Sequence, residues 1–255
     1  MKLDIKSFFM NIDRDLLWNK LESYLICNYR EKDISLILYL SKLIIFHDPT
    51  ENCIYRCSKD KWKDLPRHKS LFTAKKGFGL PIGNLTSQVF ANFYMSFLDH
   101  YIKHDLGFRF YGRYVDVFFV IHHDKETLKN AKKKIEAFLY ENLRLEINNK
   151  KVYLQSVYMG VKFLGVDIKP GHINMSKRVI GNFDRAIESI NKNTDTHKLS
   201  QSEIKKAISV MNSYIGITSH YNTYNLKKSM IFKIDDHFMR DITLTGKLEK
   251  INKRK

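Results

Sequence analysis

The sequence predicts an α+β fold, and three observations carry that expectation. Strand-like residues open the chain at Lys2-Leu3-Asp4-Ile5. The segment Phe108 to Ile121 (FRFYGRYVDVFFVI) is aromatic, β-rich and interrupted near its middle, as a hairpin would be. Helical periodicity fills much of the remainder and dominates from Val179 onward.

Taken in order, KLDI is followed by a turn-prone KSFFMNID. A helix is then expected with Leu17, Leu21, Tyr24 and Leu25 on one face. Ile34 to Phe46 (ISLILYLSKLIIF) is too short to span a bilayer and contains Lys42, so it reads as a buried helix. His47 to Gly83 is irregular, with Pro49, Pro66 and Pro81 among several Asn, Asp and Gly. Asn84 is placed to cap a long helix with Val89, Phe93, Phe97 and Tyr101 on its apolar side. Asp124 to Asn142 reads as an amphipathic helix, with Leu128, Ala131, Ile135, Phe138 and Leu139 inward. Short strands are expected from Leu143 to Met175, with Pro170-Gly171 as a turn. The last part is helical and basic and ends in a lysine-rich tail. A boundary near Ser176 to Val179 divides the chain into residues 1–177 and 178–255.

Composition narrows the partners. Over 255 residues, Lys and Arg number 44 against 27 Asp and Glu, a net charge of +17 and a pI near 9.6. That excess is an electrostatic footprint for a polyanion, nucleic acid ahead of a membrane surface, although some proteins are merely basic. The cysteines Cys27, Cys53 and Cys57 are too few for a disulfide framework in a chain of this length. With no signal peptide evident, they point to a reducing, cytoplasmic setting. Cys53 and Cys57, near His47 and His68, lack a second matching pair and read as ordinary thiols rather than zinc ligands.

Two carboxylates have the wrong neighbours for a charge. Asp4 stands between Leu3 and Ile5, and Asp116 in RYVDVFFVI is followed by five apolar residues. Burying an unpaired carboxylate costs several kcal/mol, so each should be paired or bound to a cation. Arg113 is close enough in sequence to be a partner for Asp116. The other reading takes the aspartates together, as a Mg²⁺ site for phosphoryl transfer at adjacent strand ends.

Five segments resemble reverse transcriptases of bacterial retroelement type, in the family's order. Asp4 with Phe8 and Phe9 resembles the first catalytic motif. Gly79 to Met95 (GLPIGNLTSQVFANFYM) resembles the next, and its Ser87-Gln88 is similar to diversity-generating retroelement enzymes. Tyr114-Val115-Asp116-Val117 resembles the Tyr-x-Asp-Asp hairpin, Lys162-Phe163-Leu164-Gly165 the hairpin that grips the primer, and Asn212 to Gly216 a thumb segment.

The resemblance implies a right-hand polymerase palm, an antiparallel sheet backed by helices, over residues 1–177. A mostly helical thumb with a basic tail follows over 178–255. It implies an RNA-directed DNA polymerase that takes dNTPs, an RNA template and a DNA or RNA primer, and leaves room for an accessory protein but not for a membrane. Two Mg²⁺ ions, with Mn²⁺ as a substitute, would be held by Asp4, Asp116 and the Ile5 carbonyl. Phe8, Phe9, Ile82 and Gly83 would line the nucleotide site, Phe9 as the gate against a ribose 2′-hydroxyl or else as one more core aromatic. Ser87, Gln88, Tyr114, Phe163, Leu164 and Gly165 would meet template and primer. Where retroviral relatives carry glutamine the chain has Ile82, which implies looser substrate selection.

Two departures weigh against activity. Val117 replaces the second aspartate of the hairpin and offers no oxygen; Asp124 is far along the strand from that position. The first motif also begins at Asp4, where the family normally carries a fingers region before it, so fingers are expected to be largely absent. Lys75 and Lys76 are candidates, on charge alone, to take over its basic residues. The competing function is a non-catalytic nucleic-acid-binding remnant of such an enzyme. A membrane-surface or scaffold protein using the basic tail is a third class, and it would leave the motifs unexplained.

Overall fold

The computed structural model describes the chain except residues 55, 57, 63, 64, 67, 68, 197, 198, 222, 247 and 255. Cys57 and His68, weighed above as metal ligands, lie outside the described residues. The chain divides into two compact units, residues 1–154 and 155–255. The division falls upstream of the 177/178 boundary drawn from the helical pattern.

In the first unit, β1 (Lys2–Asp4) pairs with β3 (Val117–Ile121), which pairs in turn with β2 (Phe110–Tyr114), giving an antiparallel sheet of order β1-β3-β2. Register sets its two faces. Leu3, Phe118 and Arg113 form one cross-strand row, and Asp4, Val117 and Tyr114 form the next. Side chains alternate between faces along each strand. The first row, with Val120, therefore faces the core, where Leu3, Phe118 and Val120 are fully buried. The second row lies on the opposite face. Gly112 pairs with Phe119, and a Cβ there would meet the Phe119 ring at 2.5 Å, so any larger residue would have to displace that ring.

Helices back the inner face. The helix α1 (Phe8–Asn11) is a single turn, and α2 (Arg14–Asn28) inserts Leu17, Trp18 and Leu21. Tyr24, expected on that face, is exposed because the buried stripe runs through Trp18 instead. The helix α3 (Ile34–Phe46) forms where expected but is not a buried helix. Only Ile45 is buried, while Leu36, Tyr39 and Leu43 are 54%, 64% and 56% exposed. An all-round apolar helix needs partners on every side, and α3 packs along α2 on one.

The helix α4 (Leu85–His100) also departs from expectation. Its buried stripe is Ser87, Ala91, Tyr94, Met95 and Leu98; Phe93, Phe97 and Tyr101 flank it half-buried, and Val89 is exposed. Asn84 occupies the N-cap without a capping side-chain hydrogen bond. The helix α5 (Lys125–Leu143) agrees with its sequence. Leu128, Ala131, Ile135 and Leu139 are buried, and Phe138 stacks on Tyr101 at 4.2 Å. Asp124 is its N-cap, accepting from the Glu126 and Thr127 backbone N–H groups. From Leu143 to Gly160 the expected strands are reduced to isolated bridges, Ile5 with Ile147 and Lys2 with Tyr153, and 3₁₀ turns.

The second unit begins with an antiparallel meander, β4 (Val161–Phe163), β5 (Val166–Lys169) and β6 (His172–Met175), with Pro170-Gly171 as its second turn. The helices α6 (Lys177–Thr196), α7 (Gln201–Ser219), α8 (Tyr224–Ile231) and α9 (Asp236–Asp241) follow. Phe183, Ile187, Met211, Ile215, Met230 and Phe238 join in one core, and Ser200 with Glu203 forms a capping box at the start of α7. The lysine-rich end is not a tail. It is a hairpin of β7 (Ile242–Thr245) and β8 (Lys250–Lys253), and Ile251 is fully buried. Asn212 on α7 clamps it, donating to the Ile251 carbonyl and accepting from the Ile251 N–H, both at 2.8 Å. Among the described residues no helix is long and apolar enough to cross a membrane. The architecture is therefore mixed α and β, with small antiparallel sheets and many helices.

Candidate active site

The site forms where β1 ends and the β2–β3 turn folds back. Asp4 is the last residue of β1, paired with Val117, and Asp116 sits in the turn just before it. The Ile5 N–H donates to the Asp116 carbonyl at 3.1 Å, which ties the two aspartate segments together. On the other side the Asn148 N–H donates to the Asp4 carbonyl (2.8 Å) and the Lys6 N–H to the Glu146 carbonyl (2.9 Å). Ser7 then takes a left-handed conformation, φ 47°, which swings Phe8 to Asn11 into α1.

These elements enclose a cleft of about 950 Å³ lined by Asp4, Ile5, Phe8, Phe9, Ile82 and Asp116, with Glu146 and the lysines Lys6, Lys69, Lys150 and Lys151 around them. Asp4 is 6% exposed, and its Oδ2 accepts from the Lys151 ammonium at 2.9 Å. Burial pushes the Asp116 carboxyl above the usual carboxylate range, and the Asp4 charge adds to the rise. A hydrogen bond from its own backbone N–H and the Lys151 charge oppose it. The Asp4 charge adds to the cost of ionising Asp116, and a cation between the two carboxylates would relieve it. Glu146, the third acid of the cleft, is paired with Lys6 at 2.9 Å.

Among the described residues no group of three or more His, Cys, Asp or Glu is placed to hold a metal. Mg²⁺ does not demand one, since it is commonly held by one or two carboxylates plus waters and substrate phosphates. Asp4, Asp116 and the Ile5 carbonyl supply hard oxygen donors of that kind. Val117, paired with Asp4, points no oxygen at the cleft.

Arg113 is not the partner of Asp116. Alternation along β2 turns it to the helix-backed face, where its Nε and a terminal nitrogen grip both oxygens of Asp99 on α4 at 2.7 and 2.6 Å. The other terminal nitrogen donates to Asn92 Oδ1 (3.0 Å) and to the Val115 carbonyl (2.9 Å). Tyr111 donates to the same Asp99 at 2.6 Å.

The remaining expected site residues are distributed as follows. Phe8 lines the cleft but is itself core, 3% exposed, against Phe9 edge-on at 5.3 Å. Ile82 is exposed at the cleft wall, and Gly83 beside it has φ 105° with open space where a Cβ would stand. Ser87 is buried in α4, Gln88 is exposed one residue on, and Tyr114 is exposed on β2. Phe163 ends β4, and Leu164 and Gly165 form the β4–β5 turn of the second unit, both at positive φ. Lys75 lies over the Phe78 ring at 4.9 Å, and neither it nor Lys76 lines the cleft. Asp124 is occupied in capping α5, which holds its carboxyl at about 2 through bonds from Thr127 and Glu126.

Sequence reasoning missed Lys151, Lys69 and the role of Arg113. The lysines carried no signal among so many others. Arg113 had one, because its register with Phe118 follows from the hairpin alone.

Comparison with curated proteins finds no match. The family described as reverse transcriptase (RNA-dependent DNA polymerase) matches residues 1–168, well over half of the chain and all of the cleft. The chain belongs to the reverse transcriptase family.

Proposed function

We propose that this chain is an RNA-directed DNA polymerase that extends a primer by nucleotidyl transfer in the cleft between Asp4 and Asp116. The observation that carries this reading is the convergence of those two aspartates, far apart in the first unit's sequence, on one basic cleft. When bound there, Mg²⁺ would acidify the primer 3′-hydroxyl and stabilise charge developing at the α-phosphate. The chain's own residues do the rest. Asp4 and Asp116 hold the cations with the Ile5 carbonyl, Phe9 and Ile82 wall the nucleotide, and Lys151 and Lys69 face its phosphates.

In this reading residues 1–177 act as the palm of a right-hand polymerase and 178–255 as its thumb. The resemblance of Ser87-Gln88 supports a diversity-generating type of enzyme. The setting is cytoplasmic, in keeping with the free thiols of Cys27 and Cys53. The net charge of +17 supports RNA template and primer as partners.

The test is metal-dependent extension of a primer on a defined RNA template by the native chain and by Asp4→Asn, alongside primer–template affinity at several salt concentrations. Extension by the native chain alone, with log K falling against log salt by roughly 0.7–0.9 per phosphate contacted, supports the reading. The lack of an oxygen at Val117 favours one alternative, a nucleic-acid-binding remnant. Equal binding by both chains with extension by neither would establish it.

A further inference from the structure

Val115 is a β-branched residue held at φ 56° immediately before Asp116. That conformation is disfavoured for any L-residue and most of all for a branched one, and it persists only where surrounding contacts over-determine it. The two-residue turn between the paired Tyr114 and Val117 calls for it, and a side-chain contact fastens that turn. One terminal nitrogen of Arg113 donates to the Val115 carbonyl at 2.9 Å and to Asn92 Oδ1, while its other two nitrogens are anchored on both oxygens of Asp99. The Arg113 side chain is only 10% exposed. Tyr111 fixes Asp99 from the next strand position on the same face, so α4 and β2 together hold the fork rigid.

From this geometry we infer that Arg113 is a positioning residue for Asp116. Its guanidinium, seated on Asp99 behind the sheet, pins the strained Val115 turn and so aims the Asp116 carboxylate into the cleft beside Asp4. It touches neither substrate nor cation. The inference rests on the reading of Asp4 and Asp116 as a cation site.

Arginine is suited to the role because one planar group satisfies four acceptors in fixed directions. Lysine would keep the charge but lose the fork. Free of the tether, the strained Val115 turn is held less firmly, and Asp116 with it.

The experiment measures Mn²⁺ affinity of the full chain by electron paramagnetic resonance, for the native protein, Arg113→Lys, Arg113→Gln, Val115→Asn and the double variant Arg113→Gln/Val115→Asn. Asparagine adopts positive φ far more readily than valine, so it removes the need for the tether. Both Arg113 variants are expected to bind Mn²⁺ about 10–100-fold more weakly, as for other groups that orient a ligand from behind. The double variant should recover most of that loss. A role in folding alone would not be relieved at Val115, and thermal unfolding of Arg113→Lys shows whether the chain is intact. Native-like Mn²⁺ affinity in both Arg113 variants overturns the proposal while leaving the cation site standing. So does a loss in Arg113→Gln that Val115→Asn does not lessen. Absence of Mn²⁺ binding by the native chain would overturn the cation site itself, and this inference with it.

Discussion

Substituting Val117→Asp tests the site at its weakest point, and the register lets the effect be sized. Val117 and Asp4 are direct cross-strand partners on the same face of the sheet, so their Cβ atoms stand about 4.5–5.5 Å apart. Two carboxylates at about 5 Å repel by about 3 kcal/mol at an effective dielectric near 20. The Lys151 ammonium, 2.9 Å from Asp4, offsets part of this. The metal-free variant should therefore be less stable than the native chain by about 1–3 kcal/mol, a fall of roughly 2–12 °C in unfolding midpoint for a chain of this size.

Mg²⁺ reverses the sign. A cation at about 100 times its Kd returns about 2.7 kcal/mol, so the variant should be stabilised by Mg²⁺ far more than the native chain. Restoring a preorganised charge should also raise primer extension by roughly 10²–10³-fold. The assay pairs thermal unfolding, with chelator and with Mg²⁺, with extension on an RNA template. Equal Mg²⁺ stabilisation of both chains, with no gain in extension and primer–template binding intact, would refute the placement of the cation between β1 and β3.

Three other outcomes are expected. Asp116 has a folded pKa raised above its ordinary value of 3.8, so the folded state holds that proton longer than the unfolded chain and native stability falls as pH rises through the raised value. In chelator, Asp116→Asn should therefore be more stable than the native chain at neutral pH and no different below about pH 4, as read by unfolding at a series of pH values. Lys69→Ala should raise the KM for dNTP about tenfold with a smaller change in kcat, and Lys69→Arg should retain native values, since a charge at the cleft is what is lost. Gly112→Ala should destabilise the first unit by about 1–3 kcal/mol through overlap with the Phe119 ring, measured by chemical denaturation.

How far these features could be read beforehand depended on whether local pattern and tertiary environment agreed. Leu128, Ala131, Ile135 and Leu139 repeat at helical spacing on one side of a charged helix, so their burial followed directly. For α3 the pattern was apolar all round, and sequence alone does not say which sides find a neighbour. Only Ile45 did. The α4 stripe was misread because Ser87 and Ala91 are small rather than hydrophobic in bulk, yet they are what lets that face approach the core. Asp4 and Asp116 were legible because a carboxylate in an apolar strand is costly without a partner. Lys151 and Lys69 were not, because each lies in a short 3₁₀ turn and its importance depends on which wall of a cleft it reaches. Arg113 fell between, since its charge suggested Asp116 whereas its strand parity pointed away from it.

The clamp between Asn212 and Ile251 changes the physical character of the C-terminal lysines. A two-stranded hairpin is marginal by itself in water. This one is fastened to α7 through paired amide bonds and a buried isoleucine. Lys250 and Lys253 are thus carried on a fixed template rather than on a fluctuating tether. A flexible tail would lose about 1–2 kcal/mol of backbone conformational freedom for each residue immobilised on a polyanion, and this strand has already surrendered that freedom during folding. Strand alternation sends Lys250 and Lys253, three residues apart, to opposite faces of β8, so each charge keeps a fixed direction where on a loose tail it would have none.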